Sequence, residues 1–228
     1  MSKNNMGKIV KHQTIFQRRL SMNKILLFTL VLGLAYCEKA PEAPKAETSK
    51  PAETAKVEGT SVGLDLTKSS LKWIGTKLKG KHNGTVKISE GNIVVKDNKV
   101  VGGKFSLDMA SIEDLDMKDD PKMKAKLEGH LKSEDFFNVE KFPKATFEIT
   151  SVTEDASGQA TITGNLTIKD VTKGVTFPAK ITYGADKKPV SATANFNINR
   201  QLWGISYPGQ PDNLIRDEIN FDLSLATL

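Results

Sequence analysis

The side chains that could do chemistry are few and scattered. A nucleophile needs a base within hydrogen-bond reach. The only cysteine of the 228 residues, Cys37, lies in an apolar leader, far from either later histidine. No Gly-x-Ser-x-Gly elbow occurs, so acyl-transfer chemistry has no sequence support. His82 and His130 stand apart with no metal-ligand spacing, so no metal and no other cofactor is expected. Either histidine could flank a pocket mouth or make a structural hydrogen bond. Glu113, Asp114, Asp116, Asp119 and Asp120 crowd one stretch. The spacing invites a calcium loop, but Lys118 takes the third ligand position counted from Asp114, and the obligatory glycine is missing. That stretch reads as a solvated loop followed by a helix cap. Arg200 is one of two arginines beyond the leader, with Arg216. It could pair with a carboxylate such as Asp217, and that pairing is favoured. Trp73, Phe105, Phe136, Phe137, Phe147, Phe177, Phe196 and Trp203 could line a pocket or its mouth, or be ordinary core. Nothing here requires catalysis; the chain reads as a non-enzyme.

The elements that must position these residues are mostly strands. Ala160, Ile162, Gly164, Leu166 and Ile168 alternate with polar residues, and so do Val175, Phe177, Ala179, Ile181 and Tyr183. The pattern repeats at Ala192–Ile198 and Ile219–Leu225, and in shorter form around Leu71–Trp73, Val86–Ile88, Ile93–Val95, Phe105–Met109 and Phe147–Ile149. Period-two patterning means antiparallel strands with one apolar face. Turn residues separate the runs at Glu90-Gly91-Asn92, Lys96-Asp97-Asn98, Ala156-Ser157-Gly158 and Gly184-Ala185-Asp186. Eight or so such strands suggest a barrel or a sandwich. Pro178 marks an edge or a bulge. One helix interrupts them: Asp120 caps it, Pro121 takes its first position, and Met123, Leu127 and Leu131 make an apolar stripe. Inserted between strands, it would close one mouth.

The net charge of +6 is deceptive. Residues 1–37 hold six basic residues and no acidic ones, leaving a body with 27 of each sign. The electrostatic footprint of a nucleic-acid binder is therefore missing. The run from Ile25 to Ala35 has the size of a signal-peptide core, and is too short to span a bilayer comfortably. Residues 1–36 read as a signal peptide, with Met22 a plausible true start. Cys37 after Leu34-Ala35-Tyr36 resembles a bacterial lipobox, although Tyr36 departs from the usual small residue. Residues 37–61 then form a lipidated cysteine and a disordered tether, almost wholly Ala, Pro, Glu, Lys, Thr and Ser. Such a tether spans about 25–30 Å. The folded domain covers 62–228.

Several stretches in that domain carry a resemblance. Trp73-x-Gly75, Lys81-His82-x-Gly84, Gly103-Lys104-Phe105, Lys126-Leu127-x-x-His130-Leu131-Lys132-Ser133, Asp135-Phe136-Phe137-Asn138-Val139-Glu140-Lys141-Phe142-Pro143, Thr163-Gly164-x-Leu166-Thr167-Ile168-Lys169 and Asn199-Arg200-x-x-Trp203-Gly204-Ile205 are similar to the YceI-like proteins. The resemblance implies an all-β fold, an eight-stranded antiparallel lipocalin-like barrel, here with a short inserted α-helix. It also implies an apolar pocket for a polyisoprenoid or quinone-type lipid. Those eight tryptophans and phenylalanines, with His82, His130 and Arg200, are its candidate ligand-binding residues. The small side chains Ala160, Gly164, Ala179, Ala192 and Ala194 are expected to leave room for the lipid chain. The function expected is an exported, lipid-anchored carrier, store or sequestering protein, in the periplasm or cell envelope of a bacterium. The expected partners are the apolar lipid and, through the N-terminus, a membrane, but no nucleic acid; a homodimer is left open. The alternative is an interaction or stress lipoprotein with a filled barrel and no small ligand.

Overall fold

The computed structural model describes residues 39–54 and 56–228. The signal peptide expected over 1–36 and the lipidation site Cys37 lie outside the described residues. In chain order the elements are β1 (Glu47–Ser49), β2 (Thr60–Gly63), β3 (Ser70–Lys77), β4 (Gly80–Lys96), β5 (Lys99–Asp114), α1 (Pro121–Lys132), β6 (Lys144–Glu154), β7 (Gln159–Ile168), β8 (Val171–Tyr183), β9 (Pro189–Asn199), a 3-10 turn (Arg200–Trp203), β10 (Gly209–Gln210) and β11 (Asn213–Ala226). Alternating apolar residues give each long strand one face to bury, and closing the sheet on itself buries those faces without leaving an edge. Eight strands do so in the order β3-β4-β5-β6-β7-β8-β9-β11, with β11 returning to β3 and every pair antiparallel. Of the other three, β1 pairs with β8, β2 with β4 and β10 with β11.

Three of the turns read from the sequence are hairpin connections. Asp97 and Asn98 both have positive φ, 50° and 61°, as a two-residue loop between right-twisted strands requires. Glu90-Gly91-Asn92 is not a turn: β4 runs straight through it. The strand is irregular opposite β5 between Ile88 and Glu90. A Cβ on Gly91 would meet Leu64 and Phe105 at 2.7 Å, so the glycine serves close packing.

The helix starts as its sequence dictates. The Asp120 carboxylate accepts the Met123 N–H at 3.0 Å and Pro121 takes the first position. Ser133 ends the helix, its hydroxyl donating to the His130 carbonyl at 2.8 Å.

The expected tether is corrected over residues 41–52. β8 meets β9 only between Lys180 and Tyr183. Beyond that fork, Glu47–Ser49 pairs with Gly174–Thr176 of β8, while Ala46 donates to the Asn197 carbonyl at 2.8 Å and Asn197 donates to the Pro44 carbonyl at 2.9 Å. The N-terminal segment thus fills a split in the barrel wall. Asn165 holds both the N–H and the carbonyl of Ala52, at 2.9 and 2.8 Å, and the Asn197 amide donates to the Pro41 carbonyl at 3.1 Å. Composition predicted disorder because these residues have little apolar surface to bury; backbone hydrogen bonds and buried asparagines hold them instead. Pro178, which has no N–H to offer, stands at the fork, between the part of β8 paired with β1 and the part paired with β9.

Candidate functional site

Inward-facing residues from both halves of the sequence meet at a row of phenylalanines. Phe105 lies 5.6 Å from Phe147, Phe147 5.5 Å from Phe177, and Phe177 stacks on Phe196 at 4.0 Å. Phe221 meets Phe196 edge-on at 5.9 Å. Offset and tilted rings pack densely, so the row makes a floor across the barrel. On its helix side lies an apolar cavity of about 690 Å³. On the other side only about 50 Å³ is left open.

The cavity wall is built from strands and its rim from α1 and the segment after the 3-10 turn. Leu71, Trp73, Val86, Leu107, Met109, Ala145 and Val175 line the wall. Met123, Lys126, Leu127, His130 and Leu131 of α1 lie over the opening, joined by Phe136, Phe137 and Tyr207. The helix buries none of its residues fully, and Met123 is 46% exposed. Of its apolar stripe, Met123 and Leu127 stand over the opening while Leu131 packs against the core.

Of the residues expected from sequence, Trp73, His82, Phe105, His130, Phe136, Phe137, Phe147, Phe177, Phe196 and Arg200 all border this cavity. Trp203 does not. It is 0% exposed and its indole N–H donates to the Leu166 carbonyl at 3.1 Å, which makes it solid core behind the wall. The small residues are placed differently from expectation too. Ala179, Ala192 and Ala194 face the 50 Å³ void beyond the floor, and Gly164 is packed against Phe147. The small side chain on the cavity wall is Ala145. Alternation identifies which face a residue is on, but not its height along the barrel.

His130 accepts or donates a hydrogen bond with Asp135 at 2.9 Å, and its ring meets Phe136 and Tyr207 edge-on at 4.9 and 4.7 Å. Histidine and tyrosine therefore form one corner of the rim. Arg200 is buried and donates to the carbonyls of Arg216 and Ile205 and to Asp217, at 3.2, 2.6 and 3.2 Å. Burial pushes its guanidinium below the ordinary value, and the Asp217 charge opposes that. The favoured pairing with Asp217 is present, and it pins the 3-10 turn to β11.

The acidic stretch is the solvated loop and helix cap expected only in part: Asp116, Asp119 and Asp120 are exposed and Asp120 caps α1, but the stretch begins inside a strand. Glu113 and Asp114 end β5, and Asp114 is 0% exposed. Burial pushes its carboxyl up from the ordinary carboxylate range, and the Asp116 carboxyl beside it adds to the rise. Asp114 is brought against His82, with 3.8 Å between Asp114 Oδ2 and His82 Nδ1. The pairing of β4 with β5 causes this, setting Gly84 opposite Asp114. A Cβ on Gly84 would lie 1.8 Å from the Glu113 carbonyl and 2.6 Å from Trp73, so only glycine lets the strands approach there.

Sequence reasoning missed Tyr207, Ile205 and Ile215 at the rim. They lie in or beside the irregular stretch after the 3-10 turn, where no period marks a face.

Residues 63–227 match the YceI-like domain family. An UPF0312 protein of Pseudomonas putida (strain W619) is 30% identical over 146 residues, spanning 61% of this chain and 72% of that protein. An UPF0312 protein of Yersinia enterocolitica is 50% identical over 78 residues, covering 34% and 40% of the two chains. Among solved structures, Burkholderia cenocepacia BcnA superposes with a TM-score of 0.58 at 20% identity, over 71% of this chain and 98% of that one. A polyisoprenoid binding domain from Saccharophagus degradans, implicated in plant cell wall breakdown, gives 0.56 at 12% identity, over 75% and 98%. At these identities the two structures speak for the fold.

Proposed function

The chain belongs to the YceI-like family, and from that premise we propose that it is a binding protein, not a catalyst, which holds a long apolar lipid of the polyisoprenoid or quinone type in the helix-side cavity. The observation that carries this reading is the cavity itself: about 690 Å³, lined almost wholly by apolar side chains, floored by phenylalanines and roofed by an amphipathic helix none of whose residues is fully buried. Its size falls within the usual range for ligand sites, about 300–1,000 Å³. Each buried methylene contributes about 0.8 kcal/mol, so ten offset about 8 kcal/mol of the cost of association. The polar groups at the rim, Lys126 and His130 among them, suit a ligand whose head stays at the opening. The name of the Saccharophagus degradans domain supports the ligand class.

Export and anchoring complete the proposal. The leader and the lipobox-like Cys37 support a lipoprotein of the periplasm or cell envelope. Two acyl chains on Cys37 would hold it stably, whereas one is marginal. The protein would then carry, store or sequester its lipid beside a membrane. The alternative of a filled barrel fits only the region beyond the phenylalanine floor.

Native mass spectrometry and solvent extraction of protein purified without detergent test the ligand. A bound prenyl lipid is expected; an empty cavity in every preparation overturns the carrier reading. Cys37→Ala is expected to leave the membrane fraction or to remain unprocessed. Unchanged mass and unchanged membrane partitioning in that variant would refute the anchor.

A further inference from the structure

Three ligand-type side chains converge at the cavity rim, apart from the apolar wall. His82 belongs to β4, Asp114 closes β5 and Asp116 lies in the loop toward α1. Each carboxylate is oriented by a backbone hydrogen bond to one oxygen. Asp114 Oδ1 accepts the Met117 N–H at 2.8 Å, and Asp116 Oδ1 accepts the Asn83 N–H at 2.8 Å. The other oxygens turn toward His82 Nδ1, at 3.8 Å from Asp114 and 3.0 Å from Asp116. One donor atom from each residue falls within 4.8 Å of the other two.

The decisive group is Asp114. It is 0% exposed, and its Oδ2 has no hydrogen-bond partner although it points into this cluster. Leaving a carboxylate oxygen buried and unpaired beside a second carboxylate is costly. A cation among the three side chains would remove that cost. We propose that His82 Nδ1, Asp114 Oδ2 and Asp116 Oδ2 bind one divalent transition-metal ion of the zinc class. Imidazole nitrogen and carboxylate oxygen bind zinc at about 2.0–2.2 Å, and a tetrahedral centre of that radius sets its ligand atoms roughly 3.3–3.6 Å apart. The separations of 3.0 and 3.8 Å bracket that value. Three protein ligands leave a fourth position for water or for a polar group at the cavity mouth, which His82 itself borders. The backbone bonds to Asp114 and Asp116 supply the outer support that fixes ligand orientation.

Lys77 sets the condition for loading. Its Nζ lies 2.9 Å from His82 Nε2. An ammonium can only donate, so Nε2 accepts, and the ring hydrogen sits on Nδ1 and goes to Asp116. When the metal takes the Nδ1 lone pair, that proton moves to Nε2 and Lys77 turns away to solvent. Because Glu128 of α1 accepts the Asp114 backbone N–H at 2.9 Å, the loaded site would also tie the rim to the base of the helix roof.

The test uses full-length protein stripped with chelator and titrated with Zn²⁺, read by equilibrium dialysis and by thermal unfolding. One zinc per chain and a rise in the thermal midpoint are expected, whether or not lipid is bound. Asp114→Asn removes the buried charge, so it should raise the midpoint of metal-free protein while abolishing the zinc-dependent rise. That pairing of outcomes separates a lost ligand from a misfolded chain. Asp116→Asn should lower zinc affinity by at least about tenfold. Wild-type protein that binds no zinc, or a zinc response unchanged in Asp114→Asn, overturns the proposal.

Discussion

On one side of the phenylalanine row the barrel encloses about 690 Å³; on the other it encloses about 50 Å³. The strands are the same and so are the kinds of side chain. The ends make the difference. At the filled end Leu64 and Leu225 are buried with Ile93, Val100, Ile162 and Ile181, and large residues interlock with Ala179 and Ala194. The entry strand β2 and the C-terminus seal it, with Leu228 donating to the Gly63 carbonyl at 3.0 Å. At the hollow end α1 lies across the mouth and sends no side chain far enough inward to fill it. A barrel of eight strands can be core or container, and here it is one at each end.

The largest test of that division is Phe177→Ala, which opens the floor. Loss of a buried phenylalanine costs about 3–5 kcal/mol, measurable by urea unfolding, and any retained ligand should be longer than in wild type. An unchanged midpoint would mean that the row does not hold the two halves together. Next come two matched insertions. Ala145→Phe points into the cavity and should expel lipid at little cost in stability. Ala194→Phe enters the filled half, should keep lipid, and should destabilise by about 1–3 kcal/mol through overpacking. Lipid content and unfolding midpoints read together check the pair; reversed outcomes would put the ligand in the wrong half. A smaller effect is expected at the roof. Asp120→Ala removes the cap of α1 and should cost about 1 kcal/mol, with faster lipid exchange and unchanged packing beyond the floor.

The smallest effect belongs to the filled end. Hydrogen bonds from Lys68 and Thr67 hold the Asp65 carboxyl down at about 2, from an ordinary value of 3.8. A depressed acid stabilises the fold above its unfolded value and loses that contribution as pH falls through the folded one. The contribution of Asp65 is therefore complete above about pH 4 and fades toward pH 2. A carboxyl titration followed by NMR should show this midpoint, and Asp65→Asn should flatten that part of the acid unfolding curve.

Much of this arrangement was legible in the residues. Alternation located the barrel strands, and Asp120-Pro121 located the start of α1. The pairing of Arg200 with Asp217 followed from charge. What stayed hidden depended on distance in sequence. His82 and Asp116 are 34 residues apart, and only the pairing of β4 with β5 brings them together. Ala194 and Ala145 look alike as small inward residues, yet the floor separates them. The segment before β2 was hidden for another reason: main-chain bonds and the buried Asn165 and Asn197 hold it, and its own composition does not encode them.

That segment changes what an anchor at Cys37 would do. The chain is already attached to the wall at Pro41, whose carbonyl accepts from Asn197. Only four steps of chain separate the two residues, a reach of at most about 14 Å. A leash of 25 residues would let the barrel tumble freely above a bilayer. A bracket of four would instead keep the barrel within that reach of the bilayer, with the stretch of wall around Asn197 held next to the lipid surface.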